Sequence, residues 1–570
     1  MNFGKILTLD LSTGQVDQKD LEEDIIRKYL GGRGLGAHLY SQDPRPADDP
    51  DNSLFLVPGL LTGTPFASSS RMSLVTSSPL TGFLLSSSSG GRFGAYLKSQ
   101  EISVLQIRGV SKKWVYLEVG ADGIKIKDAS DIAGKNVYET RRILARKYDG
   151  QDISIGSIGR GGENLVKYAI VQFGNRASGR AGSGWHFGFK KIKAIVVRRG
   201  ELPLESHDSD KTRDLVKEFL GRKAEHEIEN DVDTYCTGPV VKTSSDWQTF
   251  PASNYRRNFI NEDEIDQLGY DRFKKKVVKK EACWSCPLAC TRILRGKYSE
   301  EGVKGPEYET LWSLGANCDN FDLDVVIEAN RICDEYGLDT ISTGGALGWY
   351  KECVDKGDID DKWTPERMFE LIRQIGERKG DGEKLADGIL KTAENFGVGK
   401  KYVVHAKGLD LPAWDPRAAI GMAITYATSP VGGDHRKGHT VSANVGAGDK
   451  RFDTEGKAQE AINAQNKNVK FDSLGTCGFA GFMYDNDIWS RCIEAYLGIK
   501  VTSKQLDEIA GIVFDLEYEI NKELGHSLEE NTLPERILGY EIEVDGQKRS
   551  LLKSDFDKML EEYYKLRGWR

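Results

Sequence analysis

The chain has 570 residues, 39% hydrophobic and 29% charged, a balance that builds soluble packed domains and excludes a mainly disordered or fibrous protein. Lys and Arg total 79 against 87 Asp and Glu, a net charge of −8 that argues against sequence-independent binding to nucleic acid. No apolar run approaches the ~18 residues of a transmembrane helix, and 9 thinly spread cysteines suit metal ligation in a reducing, cytoplasmic setting better than a disulfide scaffold.

In chain order, the opening MNFGKILTLDLSTGQ reads as a strand and a turn, not as a basic stretch leading into an apolar targeting segment. Short β-type runs bounded by Gly, Pro or Ser recur at Ile6–Leu11, Leu54–Val57, Met72–Thr76, Val104–Ile107, Val115–Val119 and Ala194–Val197. Asp122-Gly123 predicts a hairpin turn. From about Ser206 the apolar spacing becomes helical, in SDKTRDLVKEFLGRKAEHEIEN, DLDVVIEANRICDEYG and PERMFELIRQIGERKG. SKQLDEIAGIVFDLEYEINKELG continues the pattern, with Thr502 or Ser503 as its cap, and Asp545-Gly546 predicts a late hairpin. Boundaries are placed to give segments 1–205, 206–411 and 412–570.

The strongest local signal is Cys283-Trp-Ser-Cys286-Pro-Leu-Ala-Cys290. Three thiolates this close can wrap one corner of a [4Fe–4S] cluster. Zinc, the alternative, normally brings two paired ligand sets, and no second Cys-x-x-Cys or paired His is present. A fourth ligand must come from elsewhere, and Cys477 is the best placed. It closes Asp472-Ser-Leu-Gly475-Thr-Cys477, which repeats the spacing of Asp334-Glu-Tyr-Gly337-Leu-Asp339. Two ordinary helix ends capped by Gly would show the same spacing. Cys236, Cys318, Cys333, Cys353 and Cys492 stand alone and read as small buried hydrophobes.

Three glycine-rich stretches, Ser86–Lys98, Gly159–Ala169 and Asn175–Ile195, expose backbone N–H groups and carry arginines. With Arg71 they form a candidate cradle for a large phosphorylated cofactor; tight turns in a β-rich domain are the plainer reading. GGRGLGA, Gly31 to Ala37, follows a helical pattern rather than a strand, so it is not a dinucleotide fingerprint. His435 is a candidate proton-transfer group, against a solvated loop histidine. Lys437 lies two residues on, which in extended backbone turns both side chains to one side. Glu307 and Glu309 follow the cysteines as an active-site wall, or as a helix start that suits acids.

The order GKILTLDLSTG, LGGRGLGA, SSSRMSLVT, GGENLV, NRASGRAG, CWSCPLAC, GPEYETLWSLGANC, GLDTISTG and DSLGTCGF resembles the tungsten-containing aldehyde:ferredoxin oxidoreductase family, from the first strand to about residue 480. The resemblance implies an α+β fold: a β-rich N-terminal domain followed by two mainly α-helical domains, with a tungsten bis-pterin (tungstopterin) cofactor at their junction. It implies cofactor contacts at Arg71, Ser88, Gly90, Arg176, Ala177, Gly179 and Arg180 from the first domain. Asp334 and Asp339 resemble contacts to one pterin, Asp472 the contact to the other, and Lys437 and Gly478 further contacts; a magnesium ion can link the two pterin phosphates. Family members can carry Asn at the position of Ser88 and Leu at that of Gly478. Cys283, Cys286, Cys290 and Cys477 resemble the [4Fe–4S] ligands, and Glu309 and His435 match positions that move protons beside the metal.

The implied activity is reversible oxidation of an aldehyde to a carboxylic acid, with electrons passing to ferredoxin or a ferredoxin-like iron–sulfur subunit. An oligomer is expected. Some members join two subunits through an iron held by Glu and His. Glu328 is present, but residues 358–396 contain no His, so that iron-bridged homodimer is not expected. Two rival readings are an aryl-CoA reductase of the same family and a non-catalytic iron–sulfur electron-transfer subunit. The former is thought to bind its metal through a cysteine at the position of Cys318, whose plain reading is a buried thiol.

Overall fold

A computed structural model describes residues 3–201, 205–225 and 237–570. Its N-terminal part supplies β1 (Lys5–Asp10), β2 (Val16–Asp20), β3 (Leu54–Pro58), β4 (Met72–Ser77), β5 (Leu84–Ser89), β6 (Ile102–Arg108), β7 (Val115–Gly120), β8 (Gly123–Asp128), β9 (Ile153–Ser157), β10 (Val171–Phe173), β11 (Arg176–Ser178) and β12 (Ile192–Arg198). They form two 6-stranded sheets, ordered β2-β1-β6-β3-β4-β5 and β11-β10-β9-β12-β7-β8. β1 with β6 and β12 with β7 are parallel pairs, and the other pairings are antiparallel. β3 and β4 are buried along their whole length, because apolar residues face both sides. The helix Gly32–Tyr40 covers one face, and Leu56 and Leu74 share a core with Leu117 and Ile195 of the second sheet on the other. Each fully buried Val or Leu there contributes about 1.5–3 kcal/mol.

The first hairpin turns one residue earlier than the sequence predicts. Gly120 pairs with Gly123, so Ala121-Asp122 make the turn and Gly123, at φ +88°, opens β8. The late hairpin turns at Asp545-Gly546, both at positive φ, as predicted.

Beyond Ser209 helices dominate, interrupted by β13 (Val277–Glu281), β14 (Thr291–Gly296) and β15 (Ser299–Lys304). Side-chain caps start the main helices: Asp322 for Leu323–Tyr336, Thr364 for Pro365–Glu377, and Thr502 for Ser503–Glu523, where Gln505 completes a capping box. The helix expected around 206–230 is present as Ser209–Glu225; its remaining stretch and Cys236 lie outside the described residues. The largest apolar core runs from Val166 to Tyr564, and a second joins Ile6 and Leu35 to Val513. Residues from the first and last hundred positions of the chain therefore share one core. No helix among the described residues is long and apolar enough to cross a membrane.

Candidate functional site

The cysteine motif occupies the loop between β13 and β14, where Ser285 and Ala289 take left-handed backbone at φ +48° and +45°. Polar anchors fix this loop to the Thr64–Ser68 turn of the N-terminal part. Ser68 N donates to Ser285 O at 2.7 Å, Ser285 Oγ to Pro65 O at 2.8 Å, and Trp284 Nε1 to Thr64 O at 3.1 Å. Arg176 donates to Cys290 Sγ at 3.1 Å, Ser68 to Cys286 Sγ at 3.3 Å, and Arg71 to Cys477 Sγ at 3.5 Å. A Cβ on Gly90 would stand 3.0 Å from Cys283 Sγ. Cys477 acts electrostatically on both Cys286 and Cys290, so the distant fourth thiol reaches the loop.

All the described cysteines are free. Among the described residues no three His, Cys, Asp or Glu side chains converge on one ion. Burial pushes the Cys290 thiol up to about 12, with Arg176 pulling it back, and burial raises Cys286 as well. At Cys477 burial opposes ionisation, but the Arg71 guanidinium outweighs it and holds the thiol below its usual value.

The two halves of the sequence repeat are helix ends. Gly337, at φ +69°, closes Leu323–Tyr336, and Gly475, at φ +80°, closes Lys457–Leu474. Each presents its aspartate at a junction. Asp334 accepts from Gln172 Nε2 at 2.9 Å and from Lys304 and Tyr138 at 3.3 Å. Asp339 caps Thr340–Lys356 and takes Ser342 Oγ at 2.8 Å and Arg180 Nε at 3.2 Å. Asp472 lies 3.8 Å from Arg33 Nη1.

The expected cradle residues of the N-terminal part lie on or beside β4, β5 and β11. Arg71 donates to Ser88 Oγ at 3.3 Å and keeps a buried Nε without a partner. Arg176 and Ala177 lie on β11, and open space surrounds Gly179 beyond the Ala177 Cβ at 3.9 Å. Arg180 donates to Gly433 O at 2.5 Å and to Asp410 O at 2.9 Å, which ties β11 to the loop that carries His435. Gly478 begins a short turn after Cys477, and a Cβ there would meet Arg436 at 2.7 Å.

His435–Lys437 is a turn of 3-10 helix, not extended backbone. Asp434 causes this by accepting the Arg436 N–H at 2.8 Å. The two side chains go to different partners: Lys437 donates to Ser86 O on β5, whereas His435 faces Glu309. Glu309 Oε1 and His435 Nδ1 are 3.6 Å apart, and both atoms are buried without a hydrogen-bond partner. The other Glu309 oxygen accepts from Ala413 N at 2.9 Å. Burial pushes the Glu309 carboxyl up to about 8 and His435 down to about 3. Near neutral pH the pair is therefore a protonated acid beside a neutral imidazole.

Glu328 is nearly buried and already neutralised: Arg331 reaches its two oxygens at 2.8 and 2.6 Å, and Arg373 stands 3.9 Å away. Cys318 is fully buried and donates to Ser313 O at 3.2 Å, and burial drives its thiol far above the usual range. Cys333, Cys353 and Cys492 are fully buried too. Sequence reasoning passed over Arg33, Asp434 and Asp410. Asp410 is buried with neither carboxylate oxygen hydrogen-bonded, and its burial pushes it up to about 7. A signal for Arg33 was present in GGRGLGA once the dinucleotide reading fell away.

The family model described as "Aldehyde ferredoxin oxidoreductase, N-terminal domain" matches residues 6–199, and "Aldehyde ferredoxin oxidoreductase, domains 2 & 3" matches 214–570. The chain is 34% identical to the tungsten-containing aldehyde ferredoxin oxidoreductase of Pyrococcus furiosus and 35% identical to that of Thermococcus kodakarensis, in each case over 100% of this chain and 96% of the relative. An aliphatic sulfonate oxidoreductase, WOR-like subunit, of Pyrococcus furiosus is 29% identical over 76% of this chain and 74% of that one. The solved active-site complex BamBC of benzoyl coenzyme A reductase with 1,5-dienoyl-CoA shares the fold, with TM-score 0.84, 22% identity, and coverage of 100% of this chain and 95% of that one. Full-length matches in both the β-rich and the helical parts lead to one conclusion: the chain belongs to the aldehyde ferredoxin oxidoreductase family.

Proposed function

We propose that the chain oxidises an aldehyde reversibly to a carboxylic acid at a bis-pterin tungsten centre, held where segments 1–205, 206–411 and 412–570 meet. The observation that carries this reading is the enclosed Glu309–His435 pair, an acid and an acceptor 3.6 Å apart with their facing atoms unpartnered. The surroundings fit such a group. Arg71 has a buried donor to spare, Asp334, Asp339 and Asp472 offer carboxylates at two similar helix ends, and Lys437 adds a buried cation. Ser88, Gly90, Arg176, Ala177, Gly179, Arg180 and Gly478 would complete the cradle in this reading, and a magnesium ion would offset the charge of the pterin phosphates. Bound there, the cofactor supplies a two-electron acceptor and a polarising metal.

The chain's own part is positioning and proton handling. Oxidation of an aldehyde with water releases two electrons and two protons. Neutral His435 takes one of the two protons at Nδ1 and returns the same proton in the reverse direction, with protonated Glu309 3.6 Å away as its exchange partner, and the second proton leaves to solvent. Cys283, Cys286, Cys290 and Cys477 hold a [4Fe–4S] cluster, with Arg71 and Arg176 offsetting thiolate charge. Electrons leave to ferredoxin or a ferredoxin-like subunit. An open cleft of about 580 Å³ beside Cys283, walled by Arg92, Arg141, Arg142 and Arg176, suits an acidic donor–acceptor protein. Cys318, donating into the core, supports the aldehyde reading over ring reduction with a cysteine-bound metal.

Anaerobically purified protein is expected to carry about one tungsten and four irons per chain and to reduce a viologen dye with aldehydes. Irons without tungsten would leave an electron-transfer subunit. Activity with aryl-CoA thioesters and none with aldehydes would transfer the reading to the ring-reducing branch.

A further inference from the structure

The residues beyond 480 carry no recognised motif, yet the helix Ser503–Glu523 buries Glu517 completely. Its carboxylate grips Arg33 side-on, Oε1 to Nε at 2.7 Å and Oε2 to Nη2 at 2.6 Å. Two guanidinium nitrogens are thus used from behind. The third, Nη1, is buried, has no hydrogen-bond partner, and stands 3.8 Å from Asp472 Oδ2. An unpartnered buried donor is costly, so an Arg fixed this rigidly implies an acceptor supplied from outside the chain.

The backbone enforces the same placement. A Cβ on Gly32 would stand 2.1 Å from Asp472 O, and Gly34 N donates to Ser473 Oγ at 3.1 Å, so the helix Gly32–Tyr40 is wedged onto the Asp472 helix end. Lys437 and Asp434 act electrostatically within this group. One turn beyond Glu517, Asn521 accepts from Leu84 N on β5 at 2.7 Å and donates to Pro430 O at 2.8 Å, on the loop leading to His435. A single face of the helix Ser503–Glu523 therefore holds the Gly32–Tyr40 helix, β5 and the Pro430 loop together.

We propose that Arg33, braced by Glu517, is a further cofactor-holding residue. Its free Nη1 donor and the Asp472 acceptor lie side by side, complementary to the amide-like edge of a pterin ring, which offers one C=O and one N–H. This rests on the bis-pterin reading above. The test compares wild type, Arg33→Lys and the double variant Arg33→Met with Glu517→Met, all purified anaerobically. Iron, tungsten and released pterin per chain are measured together with the circular dichroism spectrum. The double variant removes both charges, a change that buried pairs commonly tolerate.

Both variants are expected to keep wild-type iron and spectrum while tungsten and pterin fall about tenfold or more. Wild-type tungsten and pterin in either folded variant would overturn the proposal. Loss of iron and spectrum in both would overturn it as well, by showing that the pair holds the chain rather than the cofactor. Wild-type protein without pterin would instead defeat the underlying reading.

Discussion

Replacing Glu309 by Gln should stabilise the tungsten-free protein, and increasingly so as the pH rises. Burial pushes this carboxyl from its ordinary 4.5 up to about 8; the Ala413 N–H and Arg180 pull it back, and Asp434 and Asp339 add to the rise. Unfolding frees the group to ionise near 4.5. Between 4.5 and about 8 the folded chain therefore holds a proton that the unfolded chain has lost. The contribution of Glu309 is complete below 4.5, declines by ~1.4 kcal/mol per pH unit, and is fully lost above about 8. The total is up to about 5 kcal/mol. Gln keeps an oxygen for the Ala413 N–H and offers an N–H towards His435 Nδ1, but it does not titrate.

The stability difference, Gln variant minus wild type, should rise from near zero at about pH 5 to its plateau at about pH 8. His435, lowered from 6.5 to about 3, has the opposite sign: its contribution is lost as pH falls below 6.5. That loss is common to both proteins and cancels in the difference. Urea unfolding followed by tryptophan fluorescence from pH 5 to 9 measures it. A pH-independent difference, or one that shrinks as pH rises, would refute the claim that Glu309 is held protonated.

Four further outcomes are expected. Cys286→Ser or Cys477→Ser should remove or convert the cluster signal in EPR and lower the iron content; unchanged iron in both would defeat the four-cysteine assignment. Asp334→Ala and Asp472→Ala should each lower tungsten occupancy, since each removes a charged acceptor worth ~1–3 kcal/mol, and full loading in both would reduce the repeat to helix caps. His435→Asn should cut turnover by ~10²–10⁴-fold with tungsten and iron retained, whereas full turnover with an unchanged pH profile removes His435 from the site. With Glu328 committed to Arg331 and Arg373, metal analysis should find no iron beyond the cluster; an extra iron that disappears in Glu328→Ala would contradict this.

What the sequence shows plainly is what depends on neighbours in the chain. Thr502 lies three residues before Gln505, so the capping box is local, and the structure forms it. The β-type runs at Leu54, Met72 and Val115 begin where the strands begin, because apolar, β-branched residues need a covered sheet. Asp334 and Asp472 were paired by spacing, and both occupy glycine-closed helix ends.

What stayed hidden depends on partners far along the chain or on a side chain's competition for backbone. Nothing in GGRGLGA reveals that Arg33 meets Glu517, nor does NRASGRAG reveal that Arg180 ends on the backbone of Asp410. The extended geometry expected at His435 failed because Asp434 captures the Arg436 N–H. The hairpin at Gly123 slipped by one residue because strand pairing includes the glycine itself.

The pairing of Arg33 with Glu517 spans 484 residues. At about 5–20 residues per second, synthesis separates the two by roughly 25–100 s. The last strand of the two N-terminal sheets ends at Arg198, so in the later part of that interval both sheets can be complete while Glu517, behind Arg33, is still unmade. The side of the site behind Arg33 is closed only once the helix Ser503–Glu523 has left the ribosome and docked. Under the bis-pterin reading, a group as bulky as two pterins would meet a wider opening during this delay than after it. On the same reading, chain made faster than its cofactor would close before being filled, and slower synthesis of the last third would raise the filled fraction.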